Sequence, residues 1–409
     1  MKILTSLIGM AAIAACLPIH AQSTPPFEVG LAKVAKPAYL RCVYPAPTAS
    51  SPTATGYIQA KDFLLHGNWA GISLNPGANL FYTDHRPDEL RRVCEQTLRD
   101  FGIGERPVQW TAASSDRSYH HQIWYDGTLS HNGAVERIVA FGDSLSDTGN
   151  FHNLSQWAIP AERSWFLGRF SNGPVWTEYL ADMTGIPLNT WAIGTAETQD
   201  TTFVDGLESQ IDSFERYMSR TTGYDTSRTL FTVLAGANDF MSDKRQDFAS
   251  VGTATRQLEA SLVRLGQLGA RKIALLNLPD IARVPRYRGN ASKAALVGEK
   301  ARRYNQALPA IVATIRERTG MDIRLIDIAT MFDELLADPA AEGFNNVVDA
   351  CLDIEDTKLH YATGRPMRRA CTPHSYVFWD LVHPTTAVHR LIAQRVNAEV
   401  ARDWGLDHR

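Results

Sequence analysis

Short apolar runs alternate with stretches of helical spacing along the carboxyl-terminal two thirds of the chain. Ile138-Val139-Ala140-Phe141 ends in Gly142. Leu230-Phe231-Thr232-Val233-Leu234, Ile273-Ala274-Leu275-Leu276 and Ile323-Arg324-Leu325-Ile326-Asp327-Ile328 come after it. Runs this short and this continuous predict strands covered on both faces. Between and after them, Leu258, Leu262 and Leu265 recur at helical intervals, as do Tyr304, Leu308, Ile311 and Ile315, then Val388, Leu391, Ile392 and Val396. Buried strands alternating with amphipathic helices predict an α/β domain over residues 135–409, a parallel sheet with helices on both faces. In such sheets ligands collect at the carboxyl ends of the strands, so the chemistry is sought there.

The preceding block, residues 22–130, has a different grammar: Pro, Ser, Thr and aromatics with short alternating stretches such as Tyr57-Ile58-Gln59-Ala60. Asp88-Glu89 opens a helical segment in which Leu90, Val93 or Cys94, and Leu98 share a face. The block reads as a small mixed α+β domain. Residues 1–21 read as a secretory signal: Met1-Lys2, an apolar stretch from Ile3 to Leu17, and a small residue, Ala21, at the cut. That stretch is shorter than the roughly 20 residues a spanning helix needs. Ile13-Ala14-Ala15-Cys16 also fits the box before a lipidated cysteine, so anchoring through Cys16 is the alternative to simple release. Either way the product is exported, whether extracellular, periplasmic or associated with an outer membrane.

Export gives the cysteines meaning. Cys42, Cys94, Cys351 and Cys371 remain after Cys16, an even number that predicts disulfides with three possible connectivities. The economical pairing is local, Cys42 with Cys94 and Cys351 with Cys371. No Cys-x-x-Cys occurs, against zinc ribbons and thioredoxin chemistry. With 41 basic and 44 acidic residues and no polybasic run, nucleic acid is a poor partner.

Five positions then carry candidate chemistry. Ser144, in Gly142-Asp143-Ser144-Leu145-Ser146-Asp147, comes just after the first strand of the α/β part, where a hydroxyl is presented at the sheet edge and its own N–H faces any anion forming there. A serine hydroxyl needs a base, and Asp380-Leu381-Val382-His383-Pro384 offers one: a carboxylate three residues from an imidazole can hold one ring nitrogen and leave the other free. Gly194 has no Cβ, so its N–H can approach a bound carbonyl, and Asn238 comes after the Leu230 strand with an amide to donate to the same oxygen. Each alone is as well explained by a turn or a cap; in this order, each at a strand end or helix start, they form a set.

That set resembles the GDSL branch of the SGNH hydrolases, named for the serine, glycine, asparagine and histidine among them. Phe141 to Asn150, Ser164 to Trp176, Asn277-Leu278-Pro279-Asp280 and Gly343-Phe344-Asn345-Asn346-Val347 are all similar to bacterial phospholipase and acyltransferase members, and the chain as a whole resembles the thermolabile haemolysins and glycerophospholipid–cholesterol acyltransferases of that family. The resemblance implies a three-layer, flavodoxin-like fold. It also implies Ser144 as nucleophile, His383 as base, Asp380 as orienting carboxylate, and an oxyanion hole from the N–H groups of Ser144 and Gly194 with the Asn238 amide. It implies no cofactor and no metal, and the chain has no Walker or His-Glu-x-x-His pattern, while Gly102-Ile103-Gly104 lacks a third glycine. One departure stands out: members often carry Gly-Gly where this chain has Gly194-Thr195.

The implied substrate is a phospholipid or lysophospholipid at a membrane surface, with water, a lysolipid or a sterol as acceptor; no protein partner is indicated. Trp157, Trp165, Phe166, Phe170 and Trp176 either line an acyl groove or pack on the sheet. The charged stretch between Cys351 and Cys371 is a lid, a headgroup contact or a staple for the Asp380–His383 turn. A carbohydrate esterase, a toxin using the fold as scaffold, and delivery by the first domain remain open alternatives.

Overall fold

The computed structural model describes residues 38–406 apart from 49–50, 72–77, 116–117, 128, 130–132, 220, 222 and 355–360. The signal-peptide and Cys16 readings, and Glu355 and Asp356 of the second cysteine loop, lie outside the described residues.

The amino-terminal block is rich in sheet. Its elements are β1 (Ala38–Pro45), β2 (Thr55–Leu65), β3 (Gly67–Gly71), β4 (Ala78–Thr83), α1 (Pro87–Asp100), β5 (Gln109–Ala113) and β6 (Gln122–Tyr125). They form two three-stranded sheets, β2-β1-β5 and β3-β4-β6. Helix α1 buries Leu90, Cys94 and Leu98, so of the two residues competing for the middle of its face Cys94 is the one that points inward. There it meets Cys42 on β1 in a disulfide, inside a core that also holds Leu40, Leu65 and Phe81.

The sheet β3-β4-β6 is not independent of the α/β part. Leu80 and Trp124 belong to the same apolar core as the α/β strands. Asn189 makes a two-way clamp with the backbone of Tyr125, accepting from its N–H and donating to its carbonyl, both at 2.9 Å. The buried guanidinium of Arg137 donates to the carbonyls of Tyr125, Asp126 and Leu129. A buried cation with its donors spent on backbone oxygens ties the two parts together by hydrogen bonding as well as apolar contact.

The α/β part runs β7 (Arg137–Gly142), α2 (Asn150–Leu154), α3 (Trp176–Thr184), β8 (Leu188–Thr190), α4 (Leu207–Phe214), β9 (Thr229–Leu234), α5 (Ala237–Ser242), α6 (Ala249–Gln267), β10 (Lys272–Leu276), α7 (Ala291–Thr319), β11 (Asp322–Ile326), α8 (Ile328–Ala337), β12 (Asn346–Ala350), β13 (Tyr376–Phe378) and α9 (Thr386–Trp404). Five strands make one parallel sheet in the order β11-β10-β9-β7-β8. Counted from β7 this is the flavodoxin-like order, whose direction reverses between the first and third strands, here β7 and β9. Helices α4, α6 and α7 pack together, as do α3 and α9. Every residue of β7 and β9 is buried, the reason those runs lack polar alternation.

One predicted run ends earlier than its apolar pattern. Ile323–Ile328 reads as a strand, but β11 stops at Ile326. The Asp327 side chain caps α8 by accepting from the N–H of Thr330, and Asn277 accepts from those of Ile328 and Ala329. Capping oxygens turn an apolar residue into a helix start that periodicity alone cannot see.

A second disulfide joins Cys351 to Cys371. The bridges are separated by 52 and 20 residues in sequence. Loop-closure entropy gives about 4 and about 3 kcal/mol respectively. Urea unfolding of Cys42→Ser and Cys351→Ser variants should therefore show losses of that order, the first the larger; equal stability to the parent would show that neither bridge constrains the unfolded chain.

Candidate active site

Ser144 owes its position to Gly142. The last residue of β7 has φ +140°, and a Cβ there would sit 2.1 Å from the Leu234 carbonyl oxygen, so only glycine lets β7 end against β9 this closely. Gln210 holds the same peptide from the side, accepting from its N–H and donating to its carbonyl at 2.9 Å. The chain then turns, Leu145 N–H donating to the Asp143 carboxylate and Ser146 N–H to the Asp143 carbonyl. Ser144 is left at the carboxyl end of the sheet, beside the point where strand order reverses.

The opposing wall is a tight turn. Phe378 bridges Pro384, and Trp379 N–H donates to the His383 carbonyl. Asp380 and His383 are thereby folded onto each other. His383 Nδ1 lies 3.0 and 2.9 Å from the two Asp380 oxygens, and its Nε2 lies 2.8 Å from Ser144 Oγ. A hydroxyl and an imidazole 239 positions apart thus meet at hydrogen-bond distance.

Asp380 is fully buried, and burial pushes its carboxyl up. The charge and ring hydrogen bond of His383, with the N–H groups of His383 and Val382 at 2.8 Å, outweigh that and hold it below the usual carboxylate range. Trp165 adds a further donor, its indole Nε1 2.9 Å from Asp380 Oδ2. Sequence reasoning assigned Trp165 no such part; an aromatic residue far along the chain carries no local sign that its N–H will meet a carboxylate.

The aromatic segment divides accordingly. Trp165, Phe170 and Trp176 are buried. The Phe170 ring packs against that of His383 with centroids 5.0 Å apart, and Trp176 donates to Ser146 Oγ. Trp165 and Phe170 pack around the Asp380–His383 turn and Trp176 against Ser146, instead of lining a groove. Tyr361, from the second cysteine loop, closes this packing: its ring meets Trp165 and Phe170, and its hydroxyl lies 3.3 Å from His383 Nδ1. The loop's described residues are thus a brace for the Asp380–His383 turn.

The cavity that does open at Ser144 lies on the other side. It measures about 50 Å³ and is walled mainly by apolar side chains, among them Leu145, Met241, Ile281, Phe332, Phe378 and Ile392.

The two remaining candidates differ. Asn238 is the second residue of α5, after the Gly236 cap, and its Nδ2 donates one hydrogen to the Ala196 carbonyl at 2.9 Å, which steers the amide and leaves the second hydrogen available. Gly194 is a glycine for packing, since a Cβ there would be 2.4 Å from the Phe170 ring. Its N–H, expected to face an oxyanion, instead donates to Asp147 Oδ2 at 2.7 Å. Asp147 also accepts from the N–H groups of Gly149, Asn150 and Phe151; burial pushes its carboxyl up to about 6 against those bonds. Thr195, one residue on, is exposed with φ +66°, a left-handed conformation that costs a β-branched residue roughly 1–2 kcal/mol. Thr195 thus adopts a left-handed backbone shape that a glycine would take without that cost. Its N–H has no hydrogen-bond acceptor among the described residues.

Comparison with known proteins places this geometry. Residues 138–396 match the GDSL-like Lipase/Acylhydrolase family, and residues 19–126 match the Vibrio dual lipase/transferase N-terminal domain. The chain is 34% identical over 370 residues to a thermolabile hemolysin of Vibrio parahaemolyticus, covering 88% of this chain and 86% of that one. It is 29% identical over 303 residues to a phosphatidylcholine-sterol acyltransferase of Aeromonas hydrophila, covering 64% of this chain and 89% of the other. An extracellular lipase from Streptomyces rimosus superposes with a TM-score of 0.38 at 15% identity, over 65% of this chain and 100% of that one. The family match spans most of the chain and contains Ser144, Asn238, Asp380 and His383: the protein belongs to the GDSL-like lipase/acylhydrolases and is a carboxylic ester hydrolase.

Proposed function

We propose that the protein is an exported phospholipid acyl hydrolase that works through an acyl-Ser144 intermediate and passes the acyl group to water or to a second alcohol. The observation that carries this is the 2.8 Å contact between Ser144 Oγ and His383 Nε2 at the mouth of an apolar cavity. His383 takes the Ser144 proton as the oxygen attacks the ester carbonyl, then returns it to the departing lysolipid hydroxyl. Water or a sterol hydroxyl repeats the steps in reverse. Asp380 fixes the ring tautomer and stabilises the imidazolium. Ser144 N–H and the second Asn238 amide hydrogen serve the oxyanion, and Thr195 N–H takes the place of the Gly194 N–H that Asp147 occupies.

Lipid as substrate draws on the haemolysin and acyltransferase relatives together with the apolar wall. A second reading, removal of short acyl groups from carbohydrate, draws on size: a dry cavity of about 150 Å³ holds a benzene ring, so 50 Å³ takes only a few carbons without opening. Product analysis on mixed phospholipids, with and without cholesterol, should show fatty acid release (and steryl ester when cholesterol is present) by the parent and none by Ser144→Ala. Acetate from acetylated glycans with no fatty acid release would reverse the choice.

Two variants test the roles. Asn238→Ala should lower kcat by about a hundredfold or more with little change in KM, as expected for a donor used mainly in the transition state. Trp165→Phe keeps the packing but removes a hydrogen bond that disperses the Asp380 charge. Asp380 then loses one of its four N–H donors, so kcat should fall with little change in KM at an unchanged melting temperature. An unchanged kcat would make Trp165 a packing residue only.

A further inference from the structure

Deepening the phospholipid reading, on which it rests, we propose that the turn carrying Phe203 docks the enzyme on a zwitterionic, choline-headed bilayer surface beside the catalytic mouth. Phe203 is 77% exposed, the most exposed large apolar side chain among the described residues. One such residue is ordinary on a protein surface; its setting is not.

The turn is held out rigidly. Thr201 N–H donates to the Val204 carbonyl at 2.9 Å, and Val204 N–H returns to Thr201 Oγ1. Asp200 accepts from Gly206 N–H at 2.7 Å and from Ser209 Oγ at 2.8 Å. Behind Phe203, Val204 to Leu207 are buried, while Thr201 and Thr202 beside it are exposed and uncharged.

Its base is stapled to the site. Thr198 donates through both N–H and Oγ1 to Asp239, the neighbour of Asn238, and Leu207 N–H donates to the Thr198 carbonyl, closing the loop. Phe203 is five residues from Thr198, so their Cα atoms lie at most about 18 Å apart.

Charge selects the surface. Between Arg169 and Arg216 the chain has no lysine or arginine, and Glu197, Asp200 and Glu208 flank the turn. Anionic membranes are recognised by clustered cations, which this stretch of the chain lacks. Choline headgroups present their cation outermost, where three carboxylates meet it favourably while the ring inserts at the interface.

Sedimentation with phosphatidylcholine vesicles in the Ser144→Ala background measures docking without turnover. Adding Phe203→Ala should weaken vesicle partition about tenfold at an unchanged melting temperature, and Phe203→Trp should retain it. Replacing roughly a third of the lipid with phosphatidylglycerol should weaken binding, since the flanking charge is negative. Equal partition of Phe203→Ala, no binding by the background protein, or stronger binding to the anionic vesicles would each overturn the proposal. Absence of phospholipid hydrolysis by the parent would remove the phospholipase reading while leaving this measurement intact.

Discussion

A carboxylate held ionised in the dry interior is the constraint on which this structure turns. Asp380 has no exposed surface, and an unpaired charge there would be untenable. Four N–H groups converge on it: two from the turn that carries it, one from the His383 ring and one from Trp165. Charge-assisted bonds of this kind are about twice as strong as neutral ones, and here they also point the imidazole. The same bonds that make the charge bearable aim His383 Nε2 at Ser144.

Those donors come from separate stretches of chain, and much of the surrounding architecture keeps them in register. Ser164 exchanges hydrogen bonds with the backbone of Arg365, and its carbonyl accepts from the Trp379 indole. Ser171 Oγ donates to the Pro384 carbonyl, and Thr386 Oγ1 to that of Pro174. The segment between α2 and α3 is thus laced to the Asp380–His383 turn along its length. Because a buried network is strong only when every member is satisfied, this lacing makes the turn rigid where a free loop would wander. The second disulfide bounds the loop that adds Tyr361 to the packing.

The amino-terminal block is joined to the hydrolase by more than its linker. Its second sheet shares the hydrolase core and is clamped through Asn189 and Arg137. Its first sheet and α1 build a separate core around a disulfide, to which Trp69, Phe81 and Tyr125 of the second sheet also contribute. Composition marks a change of grammar near residue 130, but a sheet that lends half its apolar face to a neighbour looks, in sequence, like any other short alternating strand.

The sequence by itself determined the sheet and singled out three side chains that the fold brings together. Fully buried strands must be continuous apolar runs, and Asp-x-x-His before a helix reads as a turn that pairs its ends, so β7, β9, β10, Ser144, Asp380 and His383 were all legible. Tertiary structure decided what local pattern cannot encode. It ended β11 with caps from Asn277 and Asp327, drew the indole of Trp165 to Asp380, spent the Gly194 N–H on Asp147, and set the cavity on the side away from the aromatic segment. Periodicity reports which face of an element leaves water; which donor meets which acceptor depends on the packing of segments hundreds of residues apart, and that is settled only when the chain has folded.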